Sequence, residues 1–259
     1  MLSKNKIKLI HSLEKKKNRQ EEGLFVAEGP KLLSELLPAW TPTYIAATEE
    51  WLSKNSATLE TMGGTAGGIE IDCVSPQELE RASLMRTPQQ VLALFKLPKS
   101  DVSLSEIAEK ELCIALDTVQ DPGNVGTIIR LADWFGIKHV FCTPETADIF
   151  SPKAAQATMG ALARVRVHYL NLYSELKSCK APIYGTHLDG SNIYENTLTP
   201  HGVIVMGNEG KGISEEIESL VTNRLYIPPF PADRDKVESL NVAIATAIVC
   251  AEFRRRQGN

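Results

Sequence analysis

The sequence predicts an α/β protein with two domains joined by a short polar linker. In its second half, continuously apolar segments alternate with helical patterns, and this alternation is typical of a parallel sheet covered on both faces. The segment Leu97–Ser105 combines proline, serine and charged residues, which favours a linker. We therefore predict domains over residues 1–97 and 112–259, with the linker over residues 98–111.

The first domain alternates short strand-like and helical patterns, which indicates a small α/β domain. Strands are predicted at Leu24–Ala27, Tyr44–Ala47, Ile69–Val74 and Val91–Phe95. Helices are predicted at Ile7–Lys17, at Lys31–Leu37, and from a Ser75 N-cap followed by Pro76 to about Met85. The glycine-rich segment Gly63–Gly68 is expected to form a loop.

The second domain contains apolar runs long enough for buried strands. These runs are Leu112–Leu116, His139–Cys142, Pro182–Gly185 and Val203–Met206. Helical patterns begin at Pro122, at Ile213 and near Ser239, and the first of them ends at Gly136. Because the carboxyl ends of parallel strands meet at one edge of a sheet, polar residues that follow these runs are candidates for a site.

Composition places the chain among ordinary globular proteins. It has 259 residues, of which 43% are hydrophobic and 23% are charged. Apolar runs such as Ala243–Ala251 are far shorter than the roughly 20 residues that span a bilayer, and we expect no signal peptide. The five cysteines form no CxxC pair and the five histidines show no metal-ligand spacing. We therefore expect reduced cysteines, no metal site and a cytoplasmic protein.

The distribution of charge favours a nucleic-acid partner more than the net charge of −4 does. Residues 1–19 hold seven lysines or arginines and one acidic residue, and residues 254–256 are all arginine. Local basic clusters attract phosphates, although a solvated helix face is the alternative interpretation. The RNA-contact candidates are Lys4, Lys15, Lys16, Lys17 and Arg19.

A polar turn follows the first predicted strand of the second domain. Asp121 and Pro122 suit the cap and first turn of a helix, which places Asn124 at the helix entrance. Arg130 lies inside that helix among apolar residues. It has either a functional role or an ordinary helix pair with Asp133, three residues further on.

Two further irregular segments lie near the C-terminus. Gly207–Gly212 follows an apolar run but lacks the GxxxxGK[ST] and GxGxxG spacings of phosphate-binding loops. Its glycines would either let a ligand approach the backbone or form a plain turn. Ser239 suits the N-cap of the last helix, whereas Asn241 in the first turn is a poor helix former and a better candidate for a site.

Together, these segments resemble the three motifs of the SpoU/TrmH family of S-adenosylmethionine-dependent RNA 2′-O-ribose methyltransferases. Motif one, NxGxxxR, corresponds to Asn124–Arg130, and motif two, GNEGxG, corresponds to Gly207–Gly212. Motif three corresponds to Ile227-Pro228 and then Ser239-Leu-Asn-Val. Residues 151–161 also resemble the region after the family's second strand. The N-terminal domain resembles a small RNA-binding domain that is similar to a ribosomal-protein fold.

The resemblance implies a deep trefoil knot in the C-terminal domain, a pocket for S-adenosylmethionine and a homodimer with the site near its interface. The implied catalytic residues are Asn124, Arg130, Glu209, Ser239 and Asn241. The implied cofactor contacts are Thr186, Gly207, Ile227, Pro228 and Leu240. The segment Pro229–Glu238 is longer than the corresponding loop common in the family and lacks its glycine, which puts the cofactor contacts of this loop in doubt.

The resemblance thus implies methylation of a ribose 2′-hydroxyl in structured RNA. A separate binding module favours ribosomal RNA, with transfer RNA as the alternative. No metal is needed, because a sulfonium already activates the methyl group. Arginine is effectively always protonated, so Arg130 either clamps a phosphate or serves as the general base. The competing hypotheses are an RNA-binding protein that has lost catalysis and a nucleotide-dependent enzyme.

Overall fold

The structure is a computed structural model that describes residues 2–63, 67–99, 102–231 and 239–258. The chain folds into two compact units. The first comprises Met1–Lys99 and Asp148–Ala163, and the second comprises Ser100–Ala147 and Arg164–Asn259.

The first unit contains a four-stranded sheet with the strand order β1-β4-β2-β3. Its strands are β1 Leu24–Glu28, β2 Tyr44–Ala47, β3 Glu70–Cys73 and β4 Val91–Lys96. β1 and β2 pair antiparallel with β4, whereas β2 and β3 are parallel. Each strand agrees with its predicted position to within one residue at either end.

The described residues 2–63 and 67–99 also form six α-helices. They are α1 Lys4–Ser12, α2 Lys16–Glu22, α3 Pro30–Leu36, α4 Glu49–Lys54, α5 Ser56–Thr61 and α6 Pro76–Ala82. Ser75 caps α6 through a capping box with Glu78, as its sequence suggested. One face of the sheet packs against α1 and α6 through Val26, Leu92 and Leu94. The predicted loop Gly63–Gly68 lies partly outside the described residues.

The prediction of a single helix over Ile7–Lys17 is wrong, because α1 ends at Ser12 and α2 begins only at Lys16. Lys15 is extended, with φ −91° and ψ 131°. The guanidinium of Arg19 donates to the carbonyls of Leu13 and Glu14 at 2.6 and 2.8 Å. These bonds satisfy carbonyls that a continuous helix would have used, so the break is stabilised by a residue further along the chain.

The second unit contains a six-stranded sheet in which every neighbouring pair is parallel, with the order β10-β8-β9-β5-β6-β7. Its strands are β5 Leu112–Leu116, β6 His139–Cys142, β7 Arg166–Tyr169, β8 Ile183–Asn192, β9 Gly202–Met206 and β10 Asn223–Tyr226. The two central strands, β5 and β9, are buried along their whole length. The predicted parallel α/β domain is confirmed, and the knot implied for it stays a prediction.

The helices of the second unit pack on both faces of this sheet. They are α7 Leu104–Ala108, α8 Pro122–Trp134, α10 Leu172–Ser178, α11 Glu215–Glu218 and α12 Val242–Gln257. α7 lies inside the predicted linker. Ser103 caps this helix, and Leu104 and Ala108 are buried in the core of the second unit. α12 packs along α8.

The segment Asp148–Ala163 departs from the predicted domain boundaries, because it belongs to the first unit. It contains α9 Pro152–Ala157 and a 3₁₀ turn, Ala161–Ala163. Phe150 packs its ring against Phe25 of β1, with centroids 5.1 Å apart. The Asp148 carboxylate forms an ion pair with Arg19 at 2.6 Å. The first unit is therefore built from two separate stretches of chain.

No helix in the described part of the chain is long and apolar enough to cross a bilayer. The described residues also contain no group of three or more His, Cys, Asp and Glu side chains placed to hold a metal ion. The five cysteines carry free thiols, of which Cys113, Cys142 and Cys250 are buried and Cys73 is exposed.

Candidate active site

The loop after β5 is shaped by two aspartates. Asp117 is buried at the end of the strand, and its carboxylate accepts a hydrogen bond from the Ser214 amide at 2.7 Å. Asp121 caps α8 by accepting from the Asn124 amide at 2.8 Å. These contacts place the Asn124 side chain at the carboxyl edge of the sheet, where ligands of parallel α/β folds bind.

The loop after β9, Gly207–Gly212, is closed on itself. Asn208 and Gly212 exchange backbone hydrogen bonds of 2.8 and 2.9 Å. The Asn208 side chain accepts from the amides of Gly210 and Lys211 and donates to the Thr118 carbonyl at 2.8 Å. A Cβ on Gly207 would lie 2.2 Å from the carbonyl carbon of Gly212, so only glycine fits there. The loop therefore has a fixed backbone.

A chain of hydrogen bonds joins the three motifs. The Asn241 side chain donates through Nδ2 to Oδ1 of Asn124 at 3.0 Å, and Asn124 donates through Nδ2 to Oε1 of Glu209 at 3.0 Å. Glu209 also accepts from the amides of Gln120 and Asp121, each at 3.3 Å. We call Asn241, Asn124 and Glu209 the relay. Every bond in the relay runs in one direction, which fixes the orientation of both amides.

Glu209 is the negatively charged end of the relay. Partial burial raises the pKa of its carboxyl group, but the hydrogen bonds from Asn124 and from backbone amides outweigh burial and hold the pKa below its usual value. A carboxylate with a lowered pKa is a weak base. Glu209 is therefore better suited to orienting Asn124 than to accepting a proton.

Asn241 is the N-cap of α12, and this differs from the expectation that Ser239 caps the helix. Its Oδ1 accepts from the amides of Ala243 and Ile244 at 2.9 and 3.3 Å. Asn241 consequently uses its acceptor for the helix and its donor for the relay. Ser239 instead lines the cleft described next.

A cleft of about 1150 Å³ lies beside the relay in the second unit. Its walls come from β8, from the loops after β9 and β10, and from the start of α12. All five predicted cofactor contacts line it, namely Thr186, Gly207, Ile227, Pro228 and Leu240. The cleft combines apolar side chains with the glycines of the loop after β9, so a ligand could contact both apolar groups and backbone there. Residues 232–238 of the lengthened loop lie outside the described residues.

Arg130 stands apart from the other predicted catalytic residues. It is exposed on α8 and is not among the residues that line the cleft. The Asp133 carboxylate is held instead by Arg164, whose Nε and Nη2 donate at 2.8 to 3.0 Å. The helix pair considered for Arg130 is thus absent, and within residues 2–63, 67–99, 102–231 and 239–258 no hydrogen bond or ion pair holds its guanidinium.

The basic N-terminal cluster is only partly available for RNA. Lys4, Lys15, Lys16 and Lys17 are exposed, as an RNA-contact role requires. Arg19 is 2% exposed, and its guanidinium is occupied by Asp148 and two carbonyls. The prediction that Arg19 contacts RNA is therefore wrong, because its charge is buried within the first unit.

Sequence reasoning also missed some residues of the site. Asn208 organises the glycine loop, and its position in the GNEGxG motif was the available signal. His187 lines the cleft, and burial together with the nearby Arg224 lowers its pKa. Lys211 also lines the cleft. His187 has no sequence signal of its own, because only the fold brings it to the cleft, whereas Lys211 lies within motif two, Gly207–Gly212, which was the available signal.

A cleft at the carboxyl edge of a parallel sheet, lined largely by loops, defines a ligand-binding α/β protein. Residues 111–251 match the SpoU rRNA methylase family, and residues 4–93 match the MRM3-like substrate binding domain. The chain belongs to the SpoU rRNA methylase family, so the membership predicted from the three motifs is confirmed.

Relatives of full length support this assignment. The chain is 31% identical to the 23S rRNA (guanosine(2553)-2′-O)-methyltransferase RlmP of Bacillus subtilis, over 96% of each chain. A TrmH-family protein from Porphyromonas gingivalis has 43% identity and a TM-score of 0.88, over 99% of each chain. The AdoMet-bound rRNA methyltransferase from Sinorhizobium meliloti has 29% identity and a TM-score of 0.85, over 100% of this chain and 97% of that one.

Proposed function

We propose that the protein methylates a ribose 2′-hydroxyl in ribosomal RNA, with S-adenosylmethionine as the methyl donor. The observation that carries this proposal is the relay, which joins the three motifs through Asn241, Asn124 and Glu209 beside one cleft. Asn124, Arg130, Glu209, Ser239 and Asn241 are all present together, which speaks against a protein that has lost catalysis. Ribosomal RNA is favoured because the full-length Bacillus subtilis relative is named for 23S rRNA.

We expect S-adenosylmethionine to bind in the cleft. Gly207, Ile227 and Leu240 would hold the adenosyl part, largely through their backbone, and Thr186 would line the same pocket. When bound, the cofactor supplies a methyl group on a sulfonium sulfur, which is already activated for transfer. The contribution of the protein is then to position the ribose and to exclude water.

The proposed roles of the polar residues follow from their charge states. A guanidinium is a planar cation with several donors, so Arg130 suits a bidentate contact to a phosphate next to the target ribose. The Glu209 carboxylate has a lowered pKa and accepts from three donors, so we assign it to orient Asn124. Asn124 and Ser239 remain to hydrogen-bond the ribose or the cofactor.

We further propose a homodimer that covers the outer face of α8 and α12. Trp134 on α8 is 84% exposed and Ile244 on α12 is 55% exposed, and these two helices pack side by side. Large apolar side chains on adjoining exposed helices are typical of an interface. A second copy of the chain would also bring residues close to Arg130, which lies on the same helix.

The first unit would bind RNA through its exposed lysines. Lys4, Lys15, Lys16 and Lys17 lie on or between α1 and α2 and are all exposed. Phosphate contacts of this kind fix position without reading sequence. We therefore expect the first unit to raise affinity for structured RNA without selecting the nucleotide that is methylated.

The decisive experiment maps 2′-O-methyl groups in ribosomal and transfer RNA with and without the gene. We expect deletion to remove one site in ribosomal RNA, and wild-type protein but not Arg130→Ala to restore it. Loss of a transfer RNA site would identify the alternative substrate. An unchanged methylation map would contradict the proposed function. Calorimetric titration with S-adenosylhomocysteine, NAD and ATP would then show whether the cleft binds another cofactor.

A further inference from the structure

Within the described part of the chain, two carboxylates and one lysine ammonium group line the cleft. Its two carboxylates are both engaged, because Glu209 accepts from Asn124 at 3.0 Å and Glu218 accepts from Arg224 at 2.5 Å. Among the described residues that line the cleft, Lys211 is the one lysine or arginine. Its ammonium group has no hydrogen bond or ion pair within the described ranges. Lys211 is therefore a cation of the cleft that no ion pair engages among the described residues, and it lies two residues from Glu209, whose hydrogen bonds come from neutral donors.

The backbone of Lys211 is held rigidly although its side chain is exposed. Its amide donates to Oδ1 of Asn208 at 3.0 Å, and Asn208 is itself fixed to the Thr118 carbonyl. Lys211 also lies two residues after Glu209, which ends the relay. The ammonium group is consequently tethered to a fixed loop beside the relay, with the reach of a four-carbon side chain.

We propose that Lys211 binds a phosphate of the RNA next to the target ribose, and this inference depends on the proposed methyltransferase function. Every internal ribose of an RNA chain lies between two phosphates, so an enzyme that positions the 2′-hydroxyl needs cations at the mouth of its site. A lysine is a hydrated point charge, which suits a phosphate that enters from solvent. The carboxylate of the cofactor is the other anion that could reach this side chain.

The test compares Lys211→Gln with wild type, using ribosomal RNA from a strain that lacks the gene and radiolabelled S-adenosylmethionine. We expect the KM for RNA to rise by about 5- to 10-fold with kcat little changed. We also expect the slope of log kcat/KM against log salt to fall by about one. Lys211→Arg should restore most of the affinity. Lys180→Gln, an exposed lysine outside the cleft, serves as the matched control.

The outcomes separate this inference from the function on which it depends. If the wild-type protein transfers no methyl group, the proposed function fails. If it transfers methyl groups and Lys211→Gln matches it in KM and salt slope, the phosphate contact is refuted. Weaker binding of S-adenosylhomocysteine to Lys211→Gln in calorimetry, with an unchanged KM for RNA, would assign the lysine to the cofactor carboxylate instead.

Discussion

Single polar side chains hold the site together, and Asn241 carries two tasks at once. Its acceptor caps α12 and its donor completes the relay to Asn124. The SLNV pattern identified Asn241 as a site residue, but the capping role could not be predicted because it depends on where the helix begins. Ser239 and Asn241 are both good N-caps in sequence, and only the packed structure selects between them.

The two tasks of Asn241 can be separated by substitution. Asn241→Asp keeps a capping oxygen for the amides of Ala243 and Ile244 but has no N–H to donate to Asn124. We expect its unfolding free energy to stay within about 0.5 kcal/mol of wild type, while methyl transfer falls at least about 10-fold. Denaturant unfolding and a methylation assay would measure both effects. Wild-type activity in Asn241→Asp would show that the relay is dispensable.

The basic cluster of residues 1–19 contains exposed lysines and also the buried Arg19. The arginine is buried and paired with Asp148, which lies 129 residues away in sequence. We expect Arg19→Ala to cost about 3–5 kcal/mol of unfolding free energy, because it leaves a largely buried carboxylate unpaired. Lys15→Gln, a change at an exposed neighbour, should cost less than about 0.5 kcal/mol. A similar small loss for Arg19→Ala in denaturant unfolding would contradict the structural role.

The neighbouring parallel strands β6 and β7 each contribute one histidine to a closely spaced pair. Nδ1 of His139 lies 3.0 Å from Nε2 of His168, and the His168 ring stacks on Phe141 with centroids 4.9 Å apart. Burial, together with the neighbouring His139 and Arg166, lowers the pKa of His168 to about 4. Burial also lowers the pKa of His139. The pair is therefore stable as neutral imidazoles.

This pair predicts a pH dependence of stability. Between the ordinary histidine pKa of 6.5 and about 4, the unfolded chain binds more protons than the folded chain, so stability falls as pH falls. His168→Phe keeps a ring for stacking and removes the titrating group. We expect its melting temperature to drop less than that of wild type between pH 7.5 and pH 5. Parallel pH profiles for the two proteins would exclude this histidine as the cause.

Most strands of the molecule and its class of fold could be predicted from the sequence. Buried parallel strands leave a continuous apolar signal, and Leu112–Leu116 and His139–Cys142 have the predicted bounds. The assignment of residues 148–163 to the first unit has no such signal, because it depends on contacts between distant parts of the chain. His187 was missed for the same reason, whereas Lys211 lies within the motif Gly207–Gly212.

The split first unit predicts that residues 1–99 do not fold stably alone. Without residues 148–163, Arg19 loses its Asp148 partner and Phe25 loses its contact with Phe150. Joining residues 148–163 to residues 1–99 through a flexible glycine–serine linker should restore a cooperative unfolding transition. Near-UV circular dichroism and thermal melting of the two fragments would measure this. A cooperative transition in residues 1–99 alone would show that the inserted segment is not needed.

The contact between α8 and α12 has a bond at each end, and this has a consequence for how distant substitutions act. At one end Asn241 donates to Asn124, and at the other Arg254 donates to the carbonyls of Phe135 and Gly136 at 2.7 and 3.2 Å. The two ends are about 20 Å apart along α12 at 1.5 Å per residue. A helix fastened at both ends transmits a rotation imposed at one end to the other. We therefore expect a substitution of Arg254 to alter the orientation of the Asn241 amide, although the two side chains lie at opposite ends of α12.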